Sequence, residues 1–196
     1  MFLSLGGRRI RYLTGDCLLS PPPGIAVSDD SLDIGVIRLS GADLPPYPDI
    51  DKKALPISAI GGDLQNSDEA LFQIVGFPGS RSRRSGSNQI TLQPYSYTNI
   101  AAPLSTYPKV NADPALHLAL TFNQKKAIGK DGGVRAFPFP YGMSGSPVWL
   151  LADHLPQVPA VGIATRWNKN HRCIVATNCR ELRKMILAFG NRVPGN

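Results

Sequence analysis

The chain has 196 residues, 42% apolar and 18% charged, with 19 glycines, 18 prolines and a formal charge of +7. That length suits one domain of two small lobes or two small domains, and the Gly and Pro content favours short elements joined by turns. No run approaches the ~18 apolar residues of a membrane span, and MFLSLGGRRIRYL has too short an apolar stretch, with its charges behind it, to be a signal peptide, so the localisation leans cytoplasmic.

The first third reads as short strands between turns. FLSL and RRIRYL flank Gly6-Gly7, a hairpin signal. Pro21 to Gly24 is a loop, and DIGVIRL (33–39) is a β-rich apolar strand. The Pro-rich connection at 41–56 is the natural linker between lobes, which divides the chain into 1–56 and 57–196. ALFQIVGFPG (70–79) is a strand ending in a turn, SRSRRSGSNQ a polar loop, and ITLQPYSY a strand. In LHLALTF (116–122), Leu116, Leu118, Leu120 and Phe122 alternate onto one face. After the Gly/Pro-rich loop KDGGVRAFPFPYGMSG, the segments SPVWLLA, AVGIATRW and RCIVAT read as three consecutive antiparallel strands. A helix closes the chain: Asn178 with Glu181 is a capping signal, and Leu182, Met185, Ile186 and Phe189 form one apolar face before Gly190.

Cys17, Cys173 and Cys179 make an odd count, which argues against a disulfide framework. Cys173 and Cys179 read as buried or inert thiols. Neither CxxC nor HExxH occurs, so no metal or cofactor is implied. The positive charges are scattered, and only RSRR (81–84) is dense enough to suggest nucleic acid.

The chemistry concentrates at GMSGSP (142–147). A nucleophilic serine must be exposed, with backbone N–H groups available to the developing oxyanion. Gly142 and Gly145 permit such a tight loop, and Pro147 starts the next strand. The plainer alternative is that the segment is only a turn. Pro147 would fall in the first turn of a following helix, which disfavours the nucleophile elbow of α/β-hydrolases.

This loop, followed by strand–turn–strand and a terminal helix, resembles that of the trypsin/chymotrypsin-like serine peptidases of bacterial type, where it reads GxSGGP or GxSGSP. DSLDIGVIRL matches the family's strand that begins with the triad Asp. IVGFPG resembles the opening of its second barrel, and VGIATRW its substrate-pairing strand. The resemblance implies an all-β double β-barrel with a C-terminal α-helix. Here 1–56 would be a partial first barrel plus linker, and 57–196 the second barrel with the helix. It implies Ser144 as nucleophile, Asp33 as the residue that orients the base, and the N–H groups of Gly142 and Ser144 as the oxyanion hole. Pro138, Phe139, Tyr141, Thr165, Arg166 and Trp167 would line the substrate site. No carboxylate falls at the pocket floor, so a neutral or apolar preference is expected. Met143 stands where a zymogen switch would need Asp.

The triad His is missing. No His precedes Asp33, and His117, His154 and His171 are out of order for the family and read as surface residues. MFLSLGGRRIRYL resembles mid-barrel strands, which gives the expectation of an N-terminally truncated peptidase with its His segment upstream. Three functions follow: a serine endopeptidase acting on peptide or protein substrates, with this chain alone inactive; a peptidase-fold module that binds peptides without cleaving them; and a basic β protein that binds nucleic acid.

Overall fold

A computed structural model describes residues 2–5, 9–12, 16–20, 26, 30–38, 55–61, 70–81, 83–85, 89–91, 93–128, 133–151 and 157–190. The chain divides into two compact units: Met1–Leu55 with Met185–Asn196, and Pro56–Lys184. The linker predicted at 41–56 lies, except for its last two residues, outside the described residues.

In the first unit, β1 (Phe2–Leu5) and β2 (Arg9–Tyr12) form the hairpin expected around Gly6-Gly7, with Leu5 opposite Arg9. A second antiparallel pair joins β3 (Cys17–Leu19) to β4 (Gly35–Ile37), the centre of DIGVIRL. The turn before β4 is organised by Asp30. Its carboxylate accepts the N–H groups of Leu32 (3.1 Å) and Asp33 (3.0 Å) and the Ser20 hydroxyl. In the same unit, the Arg38 guanidinium donates to the Phe189 carbonyl and lies 4.9 Å above its ring.

The second unit contains β5 (Leu71–Gly76), β6 (Arg83–Ser85), β7 (Gln89–Thr91), β8 (Tyr95–Asn99), β9 (His117–Thr121), β10 (Ala127–Ile128), β11 (Val134–Arg135), β12 (Pro147–Leu151), β13 (Ala160–Asn168) and β14 (Cys173–Asn178). Two short hairpins, β6–β7 and β10–β11, stand apart from a six-stranded antiparallel sheet ordered β8-β5-β12-β13-β14-β9. That sheet curls far enough for its outer strands to be stitched together. Ala101 bridges to Leu120, Ala102 N–H donates to Ala119 O (2.7 Å) and Thr121 N–H to Ile100 O (3.3 Å). The fold is therefore all-β with one described helix, α1 (Cys179–Gly190), where the capping signal predicts it. Asn178 Oδ1 accepts the Arg180 N–H at 2.9 Å, whereas Glu181 pairs with Lys184 at 2.7 Å. Among the described residues no helix is long and apolar enough to cross a membrane.

Curling buries the inner face of the sheet, and the segment 102–110 covers part of the outer face of β14 and β9. On the inside, Phe72, Ile74, Val148, Leu120 and Val161, each at most 1% exposed, form the main core. On the outside, Ala119, Cys173 and Val175 are covered by Ala102, Tyr107 and Val110. Several segments depart from expectation: SRSRRSGSNQ is not a loop throughout, because it holds β6 and the first residue of β7, and KDGGVRAFPFPYGMSG holds β11. ITLQPYSY is not one strand but two, β7 and β8, divided before Tyr95, where Pro94 has no N–H for a ladder. His117 is not a surface residue: it is 3% exposed, because the outer face of β9 is covered too.

Candidate active site

Two successive turns shape the loop 140–146. Met143 N–H donates to Pro140 O (3.1 Å) and Ser146 N–H to Met143 O (3.0 Å). The third residue of each turn has positive φ, Gly142 at 83° and Gly145 at 85°, which a side chain would strain. Met143, between the turns, is 3% exposed and belongs to the main core, so it anchors the loop. Ser146 is buried as well. Gly145 N–H donates to Ala164 O (2.8 Å) and Ala164 N–H to Ser146 O (2.8 Å), which clasps the loop to β13. On its other side Gly79 N–H donates to Tyr141 O at 2.7 Å.

Ser144 is thereby pushed outward, and it is exposed. Among the described residues neither its N–H nor that of Gly142 has an acceptor, and no side chain is hydrogen-bonded to its hydroxyl. Gly142 and Ser144 are both exposed, so the two N–H groups, two positions apart in the loop, are open to solvent.

Ser144 borders a cleft of about 210 Å³ that is also lined by Tyr141, Gly142, Met143, Thr165, Arg166 and Trp167. β13 carries the last three of these. Its pairing to β12 ends at Ile163, so beyond the Ala164–Ser146 bond the strand is paired, among the described residues, only with β14. A bulge between Ala164 and Arg166 is filled by Thr165, whose hydroxyl donates to Val175 O at 3.2 Å. The Arg166 guanidinium turns away to the carbonyls of Val110 and Asn111, leaving its stem to the cleft. Pro138 and Phe139 are not among the lining residues; Phe139 stands at the rim, its ring 5.8 Å from Trp167 and 6.1 Å from Tyr141.

Asp33 lies in the other unit, exposed, at φ 50° in the turn before β4. Its neighbour Asp30 is the carboxylate engaged in hydrogen bonds there. Spacing could have flagged Asp30, because Asx-type turns place the carboxylate two or three residues before the N–H groups it accepts. Neither described histidine lines the cleft. His117 Nδ1 accepts the Asp113 N–H at 3.0 Å, His171 is exposed in the β13–β14 turn, and His154 lies outside the described residues. Burial pushes the thiols up, Cys173 to about 11 and Cys179 to about 12, so both are protonated at neutral pH. Among the described residues no group of three or more His, Cys, Asp or Glu side chains could hold a metal ion.

No protein-family model matches the chain, and no curated protein matches it.

Proposed function

We propose that the chain is a serine endopeptidase of trypsin-like double-barrel fold, with Ser144 as its nucleophile. In this reading the curled sheet is the second barrel, and the strands of Met1–Leu55 belong to the first. The observation that carries it is the exposed Ser144 at the rim of an apolar cleft, with its own N–H and that of Gly142 lacking acceptors among the described residues. An extended peptide would add its backbone to the open side of β13 and set a carbonyl over those two donors. Ser144 Oγ then bonds to the carbonyl carbon, and the C–N bond breaks as the amine leaves with a proton. Water resolves the acyl-enzyme in the same way, releasing the acid and restoring the hydroxyl.

The proton on Ser144 needs a base, and the sequence has no His before Asp33. Without an imidazole the hydroxyl is a weak nucleophile, so the chain alone is expected to be slow. A fluorophosphonate probe tests this directly. Ser144 should label slowly, faster when free imidazole is added as a surrogate base, and not at all in Ser144→Ala. A folded chain that stays unlabelled with imidazole present would remove the peptidase reading. The second reading, a peptide-binding module without chemistry, would then take its place. It is favoured by the absence, among the described residues, of any side chain bonded to the Ser144 hydroxyl, and by the exposed carboxylate of Asp33.

A further inference from the structure

The cleft beside Ser144 has a buried end and an open end. Ile74, Met143, Ala164 and Ile174 close it from within, each at most 4% exposed, while Tyr141 at 66% exposure marks the opening. Trp167 connects the two levels. Its ring stands 6.2 Å from the core ring of Phe122 and 5.6 Å from Tyr141, nearly perpendicular to the latter at 82°. We infer that this cleft receives one uncharged apolar side chain of an extended peptide, and that Trp167 limits how large that side chain can be. The inference rests on the reading of Ser144 and β13 as a peptide site.

Three observations support it. The lining contains no carboxylate, and its single charged residue, Arg166, already gives its guanidinium to two backbone carbonyls. A Lys or Arg side chain entering here would lose water without meeting a counter-charge, which is costly. An acidic side chain would find the one available cation committed elsewhere. The space, about 210 Å³, is below the ~300–1,000 Å³ of sites that hold drug-sized ligands, so it suits a single side chain. Finally, the residues before and after Trp167 are held in place. Arg166 is tied to the loop ending at Asn111, and Asn168 pairs with Cys173 on β14. The indole itself packs against the rings of Phe122, Phe139 and Tyr141, and so acts as a wall.

The test uses the whole chain and N-acetyl-Ala-Ala-X-amide peptides, with X as Ala, Leu, Phe, Arg or Glu, titrated by ¹H–¹⁵N NMR. Leu should bind about tenfold or more tightly than Arg or Glu, with shifts at Ser144 and Gly145. In Trp167→Ala the Phe-to-Leu affinity ratio should move toward Phe by about tenfold. Equal binding of Arg, Glu and Leu would overturn the inference, and so would an unchanged ratio in Trp167→Ala. Trp167→Leu, which shortens the wall but keeps it apolar, gives the same readout if the alanine variant does not fold. Ser144→Ala should keep the side-chain ranking, which separates this test from the labelling experiment. A correct ranking with no labelling defeats the peptidase reading and leaves the cleft assignment; labelling without a ranking does the reverse.

Discussion

The unit Pro56–Lys184 and the unit formed by Met1–Leu55 and Met185–Asn196 are both built from short antiparallel strands, yet they bury their side chains to different degrees. The former curls a six-stranded sheet around Phe72, Ile74, Leu120 and Val148, and covers part of the outer face as well. The latter has two separate two-stranded ladders among its described residues, and in the β3–β4 pair Leu19 is 56% exposed. A two-stranded pair has marginal stability by itself, whereas a curled sheet with an apolar interior can hold a loop rigidly. The loop that carries Ser144 belongs to the unit that can do so.

The contrast is most easily broken in the core. Phe72→Ala should cost about 3–5 kcal/mol in denaturant unfolding, while Leu18→Ala, half-buried in β3, should cost under about 2 kcal/mol. Equal losses would mean that the two units are equally packed.

A glycine pair sharpens the comparison at the loop. A Cβ on Gly76 would lie 2.1 Å from the buried Ser146 Oγ, so Gly76→Ala must move Ser146 and the turn it ends. We expect a loss of about 1–3 kcal/mol, together with loss of fluorophosphonate labelling at Ser144. A Cβ on Gly35 would meet only the end of the Leu19 side chain, at 3.1 Å. Leu19 can swing aside, and Gly35→Ala should be neutral or stabilising by under about 1 kcal/mol.

Thiol reactivity offers a third contrast. Cys17 is exposed, while Cys173 and Cys179 are buried. A disulfide reagent at pH 8 should react quickly with one thiol per folded chain and with all three after denaturation. The raised thiol values also predict the direction of pH dependence. The unfolded chain loses these protons near pH 9, whereas the folded chain keeps them to about 11 and 12. Stability is therefore intact below pH 9 and falls as pH rises above it, by up to about 1.4 kcal/mol per pH unit for each thiol. Chemical denaturation at pH 8, 9 and 10, with Cys173→Ala and Cys179→Ala as controls, checks this.

The smallest effect concerns the cleft wall. The Trp167 indole N–H is buried without a hydrogen-bond partner, and an orphan donor of that kind is destabilising. Trp167→Phe keeps an aromatic wall and removes the donor. It should leave stability unchanged or raise it by about 1 kcal/mol in thermal unfolding.

Legibility in the sequence followed the range of the interaction. The hairpin at Gly6-Gly7, the strands after Pro147 and the cap at Asn178 depend on neighbours a few residues away, and all could be read. ITLQPYSY was harder, because Pro94 breaks a run whose composition is otherwise strand-like throughout. His117 could not be placed by alternation. The rule assumes one solvated face, and β9 has Leu118 and Leu120 in the main core while Ala119 packs beneath Tyr107 and Val110. Arg166 reads as a cleft cation from its position in VGIATRW, but its head is taken by carbonyls more than fifty residues earlier in the chain.

By itself, then, the sequence determined an all-β chain of short strands, a capped C-terminal helix and a glycine turn presenting Ser144, because turn angles, strand alternation and caps are local physics. Tertiary structure alone decided that Met143 anchors that turn in the core. It also left the N–H groups of Gly142 and Ser144 without acceptors among the described residues and set Trp167 in the lining of the cleft. Those outcomes required β5, β12, β13 and β14 to be brought together by burial, which acts between residues that sequence spacing does not relate.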